Sequence, residues 1–73
     1  MTLNNLLNTV LLTQKLTIVN DIDSKIIIVD KQKYDEIPYV DIAEFLDYEV
    51  LMVAPKYEDN ESILYLAIVA PLE

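Results

Sequence analysis

The sequence predicts a single α+β domain over residues 1–73, in which two short helices cover one face of a four-stranded antiparallel sheet in the order α-β-β-α-β-β. Three observations lead to this prediction. The chain opens with apolar residues at helical spacing, it contains two pairs of strand-like apolar runs separated by turn residues, and a proline-led segment with helical spacing lies between the two pairs.

The first helix is predicted from apolar residues that recur at one-turn intervals: Leu3, Leu6, Leu7, Val10 and Leu11. Thr2 is the predicted N-cap. We expect the helix to end near Leu12–Thr13, and we interpret its apolar stripe as core packing.

Two β-branched runs, Leu16–Val19 and Lys25–Val29, predict the first hairpin because strands favour such residues. The turn-forming segment Asn20–Ser24 separates them. The polar stretch Lys31–Glu36 that follows is predicted to be a loop.

A second, short helix is predicted after Pro38, because Ile42, Phe45 and Leu46 fall on one helical face. The second hairpin comes from the apolar runs Val50–Ala54 and Ile63–Ala70.

An acidic loop is predicted between those two runs, over Pro55–Glu61. The last strand does not alternate apolar and polar residues as a half-exposed strand does. Its neighbours Tyr65 and Leu66, which face opposite ways, are both apolar or aromatic. Because two short helices cover only one sheet face, we expect the other face to be buried in a homodimer of stacked sheets. The interface residue is then Tyr65 or Leu66, according to which face the helices leave bare.

The composition favours a partner-dependent binding protein. The chain carries 13 acidic residues against 5 lysines, for a net charge of −8, and 53% of its residues are hydrophobic. A domain this small usually needs a disulfide, a metal or a second subunit for stability. With no cysteine and no histidine, association is the remaining option. The acid excess argues against direct nucleic-acid binding and favours a protein partner with a basic surface.

The sequence offers no catalytic, cofactor or metal site, so we predict that the chain is not an enzyme. Ser24 and Ser62 have no histidine to activate them, and no glycine is present to form a phosphate-binding loop. Asp21 and Asp23 resemble the start of a calcium loop, but Gln32 stands where that loop requires a glutamate. We therefore interpret these two aspartates as turn-forming residues.

Tyrosines beside carboxylates are the candidate partner-binding residues. Tyrosine is enriched at interfaces, and carboxylates would meet lysine or arginine on the partner. The equally weighted alternative is that the tyrosines half-bury and the acids keep the chain in solution. The predicted set is Tyr34, Asp35, Glu36, Tyr48, Glu49, Tyr57, Glu58, Asp59 and Glu61.

The layout resembles the small acidic proteins encoded by phages and prophages. The resembling features are the opening leucines Leu3, Leu6 and Leu7, the hairpin 16–29, the Ile37–Pro38 step, the segment Leu46–Val50 and the final apolar strand. That group includes inhibitors of bacterial defence such as anti-CRISPR proteins, some of which mimic DNA with acidic surfaces. The resemblance implies no catalytic residue. Residues with A/T-rich codons are also abundant, which indicates a low-GC bacterial or phage genome.

These observations lead to two functional hypotheses. The first is an inhibitor that occludes a basic, nucleic-acid-handling or defence protein in the cytoplasm of a bacterial host cell. The alternative is a small homo-oligomeric assembly protein that uses an apolar sheet face. A small-molecule binder ranks third. The N-terminus lacks the basic region of a signal peptide, and no apolar run is long enough for a membrane span.

Overall fold

The computed structural model describes residues 1–20 and 26–71. Two short α-helices, each followed by tighter turns, combine with four strands. The elements are α1 (Leu3–Leu7), β1 (Lys15–Asn20), β2 (Ile27–Lys33), a 3₁₀ turn (Tyr34–Glu36), α2 (Tyr39–Ile42), a second 3₁₀ turn (Ala43–Phe45), β3 (Glu49–Glu58) and β4 (Glu61–Val69). The α+β class, the four strands and the short helices are confirmed, and the element order differs slightly from the predicted α-β-β-α-β-β because 3₁₀ turns precede and follow α2.

The sheet is mixed, which corrects the prediction of a wholly antiparallel sheet. Its strand order is β2-β1-β4-β3. The two hairpins β1–β2 and β3–β4 are antiparallel as expected, but the inner strands β1 and β4 pair in parallel.

The path of the connection between the hairpins explains why β1 and β4 pair in parallel. β2 ends at Lys33, opposite Lys15, whereas β3 begins at Glu49, opposite Val69 at the other end of the sheet. Residues 34–48 must therefore run back along the whole sheet, as crossovers between parallel strands do. The second hairpin consequently enters in the same orientation as the first.

One face of the sheet and the helical elements form the core. β1 contributes Leu16 and Ile18, and β4 contributes Leu66 and Ile68. From the helical side come Leu3, Leu7 and Ile42, together with half-buried side chains such as Phe45 and Leu46. Both predicted helices thus lie on the same sheet face, and the apolar face of the second helix is confirmed.

Helix α1 is shorter than predicted and ends at Leu7, with Asn8 as its C-cap. Thr2 is the N-cap, and its Oγ1 accepts from the Asn5 N–H at 3.2 Å. After Asn8 the chain tightens, because the Thr9 N–H and hydroxyl both donate to the Leu6 carbonyl. Asparagine and threonine are poor helix formers. The helical spacing of Val10 and Leu11 therefore does not extend the helix beyond Leu7.

Strand β2 extends through Lys33, so only the end of the predicted 31–36 loop is non-strand, and it forms a 3₁₀ turn. Of the predicted turn Asn20–Ser24, Asn20 belongs to β1, whereas residues 21–24, with the Asp21–Asp23 pair, lie outside the described residues.

The predicted acidic loop of the second hairpin is also shorter. Both strands continue to a two-residue turn at Asp59 and Asn60, whose φ angles of 49° and 63° suit a tight hairpin turn. Pro55 is tolerated inside β3 because β3 is an edge strand.

The N-terminus covers the beginning of this edge. The Leu3 N–H donates to the Tyr48 carbonyl and the Val50 N–H donates to the Met1 carbonyl, each at 2.9 Å. Thr2 and Glu49 form an antiparallel bridge. Only the part of β3 beyond Val50 therefore presents a bare outer edge.

Candidate functional site

The sheet face opposite the helices, called here the open face, is ordered into rows by the strand register. Directly paired residues project to the same side of a sheet. One row, the lysine row, consists of Lys33, Lys15, Ile63 and Lys56. The middle row consists of Thr17, Tyr65 and Ala54. The apolar row consists of Ile27, Val19, Ala67 and Met52.

The centre of the open face is buried within the single chain. Thr17, Ile63 and Ala67 are only 3–4% exposed, although no helix lies over them. They lie on β1 and β4, the two inner strands of the sheet, which have a neighbouring strand on either side. This explains the apolar residues on both sides of β4, a central strand in a mixed sheet.

Polar contacts connect several long side chains of the open face. The Lys31 Nζ lies 3.2 Å from a Glu58 carboxylate oxygen, and Lys15 forms an ion pair with Glu61. The Lys56 Nζ lies 4.4 Å from the centroid of the Tyr65 ring, within cation–π range.

Lys31 has a φ of 54°, which is uncommon for a residue with a side chain. It lies where the β1–β2 register shifts, and its N–H donates to the buried Thr17 Oγ1 at 3.2 Å. The hydrogen bond and charge of Glu58 raise the pKa of Lys31. The hydrogen bond and charge of Lys15 lower the pKa of Glu61.

The connection between the two hairpins is strongly acidic. Residues 34–49, called here the acidic crossover, contain six carboxylates and no lysine: Asp35, Glu36, Asp41, Glu44, Asp47 and Glu49. All six residues are exposed. Glu49 lies 3.4 Å from the N-terminal ammonium, and it alone among these six makes an ion pair within the described part of the chain. The charge of the other five is therefore left for solvent or a partner.

Two apolar side chains stand out in the middle of the acidic crossover. Tyr39 is 68% exposed and Val40 is 80% exposed. Both belong to α2, whose inward residue Ile42 anchors the turn in the core. The acidic crossover thus combines exposed apolar groups with surrounding carboxylates, the arrangement expected of a binding surface for a basic partner.

The structure distributes the predicted partner-binding residues over four places. Asp35 and Glu36 are exposed at the start of the acidic crossover, and Glu49 lies at the far end of the sheet. Tyr34 and Tyr48 are half-buried and pack against the core. The Tyr48 ring also meets Phe45 edge-on, with centroids 5.1 Å apart.

The remaining predicted residues lie on the second hairpin. Tyr57 is exposed, whereas Glu58 and Glu61 are engaged with lysines of the open face. Asp59 lies at the turn.

The two residues predicted for the dimer interface lie on opposite faces of the sheet. Tyr65 lies half-buried on the open face, whereas Leu66 is 1% exposed in the domain core, so of the two only Tyr65 belongs to a surface.

The pattern of tyrosines beside carboxylates also covers Tyr39, Asp41 and Asp47, but the predicted partner-binding set leaves them out, together with Glu44. A readable signal was the absence of any base between Lys33 and Lys56. Because this stretch has no lysine, the negative charge of the connection between the hairpins is not balanced within it.

Two open depressions are present in the described structure. One, of about 270 Å³, lies at the lysine end of the sheet and is lined in part by Lys15, Lys33 and Glu61. The other, of about 370 Å³, lies beside the acidic crossover, between Tyr39, Asp47 and the N-terminal residues. The first is below the range of about 300–1,000 Å³ that is usual for ligand pockets, and the second is at its lower end.

Comparison with protein-family models, curated proteins and solved structures finds no match to this chain. Among residues 1–20 and 26–71, no helix is long and apolar enough to cross a membrane. The same residues contain no group of three or more acidic side chains placed to hold a metal ion.

Proposed function

We propose that this chain is a non-catalytic binding protein whose acidic crossover docks onto a basic surface of a protein partner. The observation that carries the proposal is the exposed pair Tyr39 and Val40 within a segment of six carboxylates and no lysine. Exposed aromatic and aliphatic groups supply contact energy when buried, and the surrounding acids select a basic partner.

The dimensions of the acidic crossover suit occlusion of an extended basic surface. Its ends lie opposite Lys15 and Val69 of the sheet, which are about 20 Å apart at roughly 3.3 Å per residue. Carboxylates spread over that length can meet several lysine or arginine side chains at once. We propose that such a partner is a nucleic-acid-handling or defence protein in the cytoplasm of a bacterial host, inhibited by a phage or mobile-element product that mimics the charge of DNA.

A capture experiment with matched variants tests this proposal. The immobilised chain is exposed to lysate of a low-GC bacterium, beside the variant Asp41→Asn/Glu44→Gln and the variant Asp30→Asn/Asp59→Asn. Each variant removes two exposed charges, and only the first changes the acidic crossover. We expect a basic protein to be retained by the parent chain and the second variant and lost by the first. Equal retention by all three would contradict the proposal.

The second candidate is a small assembly protein that forms a homodimer through the open face. It is favoured by the half-exposed side chains of Ile27 and Met52, which end the apolar row at the two sheet edges. Sedimentation analysis at tens of micromolar tests it, and a monomer at that concentration would contradict it. The two candidates use opposite sides of the molecule, so each can fail without the other.

A further inference from the structure

The depression of about 370 Å³ beside the acidic crossover has two walls that the backbone holds together. The N-terminal segment forms one wall and the acidic crossover forms the other. The Asn4 N–H donates to the Leu46 carbonyl, and the Leu3 N–H donates to the Tyr48 carbonyl, each at 2.9 Å. The lining residues are Thr2, Asn4, Tyr39, Leu46 and Asp47.

The lining combines an aromatic ring, an aliphatic side chain and a carboxylate. The Tyr39 side chain is largely exposed and Leu46 is half-buried. The exposed carboxylate of Asp47 makes neither an ion pair nor a hydrogen bond with another residue of the described part of the chain. No lysine is among the lining residues, so the charge of Asp47 is not neutralised within the depression.

Charge and hydrogen bonding favour a cation in this depression over an anion. The N–H groups at the start of α1 are already used: those of Leu3 and Asn4 by the carbonyls of the opposite wall, and that of Asn5 by the Thr2 Oγ1. They are therefore not available to hold an anion. The other carboxylates of the acidic crossover add negative potential around Asp47.

The chemistry of the lining favours arginine among the cations that a protein partner can supply. A planar guanidinium can stack on a tyrosine ring and donate two parallel N–H groups to one carboxylate. The aliphatic stem of arginine can pack on a leucine side chain. A lysine ammonium is a compact, strongly hydrated charge that does not match a ring and a carboxylate together.

We propose that this depression receives an arginine side chain of the basic partner. The guanidinium stacks on the Tyr39 ring and pairs with the Asp47 carboxylate, and the arginine stem lies along Leu46. The side-chain oxygens of Thr2 and Asn4 can accept the remaining guanidinium N–H groups. The proposal names the group that the acidic crossover recognises, and it rests on the proposed function for the partner that carries this arginine.

An NMR titration of the full chain tests the depression without the partner. The probe is N-acetyl-arginine N-methylamide, added to tens of millimolar because exposed ion pairs are weak, with ionic strength held constant. The citrulline and lysine counterparts are the control probes, since citrulline keeps the shape of arginine without its charge. We expect the arginine probe to shift the backbone amides of Asn4, Leu46 and Asp47 saturably. Citrulline should cause no saturable shift, and lysine should bind more weakly than arginine.

Matched variants separate the depression from the general charge of the acidic crossover. Asp47→Asn should weaken binding of the arginine probe about fivefold, the upper range for an exposed ion pair. Asp41→Asn also removes one exposed carboxylate of the acidic crossover but does not line the depression, so it should change the affinity less than about twofold. Tyr39→Leu should weaken binding about threefold through loss of the ring, whereas Tyr39→Phe should bind as the parent chain does.

Each outcome of the titration decides the question. Shifts that do not saturate, or equal affinities for the parent chain and Asp47→Asn, would overturn the arginine site. Equal affinities for the arginine and lysine probes would overturn arginine as the occupant. The spectrum of each variant without probe verifies that it is folded.

Failure of this proposal is distinguishable from failure of the proposed function. The capture experiment changes Asp41 and Glu44, which do not line the depression, and it uses no arginine probe. Capture through the acidic crossover without a saturable arginine site would contradict the arginine proposal alone. A saturable arginine site in a chain that captures no basic protein would contradict the proposed function and support the site.

Discussion

Adjacent residues of β4 should differ sharply in their contribution to stability, because Leu66 lies in the core and Tyr65 lies on the open face. Truncation of a fully buried leucine to alanine costs about 3–5 kcal/mol, from lost burial and the cavity left behind. A domain of this size has roughly 3–5 kcal/mol of stability in total. We therefore expect Leu66→Ala to be largely unfolded at 25 °C.

Tyr65→Ala should remain folded. The Tyr65 ring is partly exposed, and its contact with Lys56 is worth about 0.5–1 kcal/mol at such a site. Including the lost burial, we expect a cost of about 1–2 kcal/mol. With a urea dependence of about 1 kcal/mol/M, the unfolding midpoint should fall by about 1–2 M.

Urea denaturation followed by circular dichroism measures both variants, with Ile18→Val as a conservative core control that should cost about 0.5–1.5 kcal/mol. If Tyr65→Ala destabilised the chain as much as Leu66→Ala, the open face would be a second core. The assignment of faces would then be wrong.

Three further predictions concern the hairpins and metals. Lys15 lowers the pKa of Glu61, so this pair stabilises the fold above pH 4.5, and its contribution is lost as pH falls through the folded-state pKa of Glu61. The variant Glu61→Gln should therefore flatten that part of a curve of stability against pH. An unchanged curve would argue against the pair. Asn60→Gly should raise the melting temperature slightly, because Asn60 has a φ of 63° that glycine adopts without strain; a lower melting temperature would contradict this turn geometry. Millimolar calcium or chelator should leave the melting temperature unchanged, and a rise of several degrees with calcium would reveal a site that Gln32, which stands where a calcium loop requires a glutamate, argues against.

Local patterns in the sequence predicted the elements well and their lengths less well. Side-chain periodicity placed Ile42 and Phe45 on the inner face of the second helical segment, as observed. The same periodicity overextended α1, since it does not register the weak helix propensity of Asn8 and Thr9. The polar end of β2 was predicted as a loop, because Lys31 and Lys33 do not look like strand residues. They are tolerated there because β2 is an edge strand and both lie on its open face.

The orientation of the two hairpins could not be read from local patterns. It depends on where residues 34–48 return to the sheet, which is a property of the whole chain. The double-sided apolar pattern of β4 was correctly noticed, but it was attributed wholly to a missing partner. In the structure, Ile63 and Ala67 of the open face are already buried within the single chain.

The candidate site was predictable in its chemistry and only partly in its residues. The tyrosine–acid pairs at Tyr34 and Tyr48 were found by sequence, yet the rings of both turn towards the core. Sequence proximity of an aromatic to carboxylates does not determine which way the ring faces. The exposed fraction of each ring is known only from the fold, and it identifies Tyr39 as the better candidate for partner contact.

The salt dependence of the association rate with the captured basic partner tests the central claim most directly. Exposed charges are screened beyond about 8–10 Å near physiological ionic strength, so electrostatic steering should weaken as salt rises. We predict that the rate for the parent chain falls at least tenfold between about 50 and 300 mM salt. The Asp41→Asn/Glu44→Gln variant should show a clearly shallower fall than Asp30→Asn/Asp59→Asn. A rate independent of salt, or equal slopes for the two variants, would contradict binding through the acidic crossover.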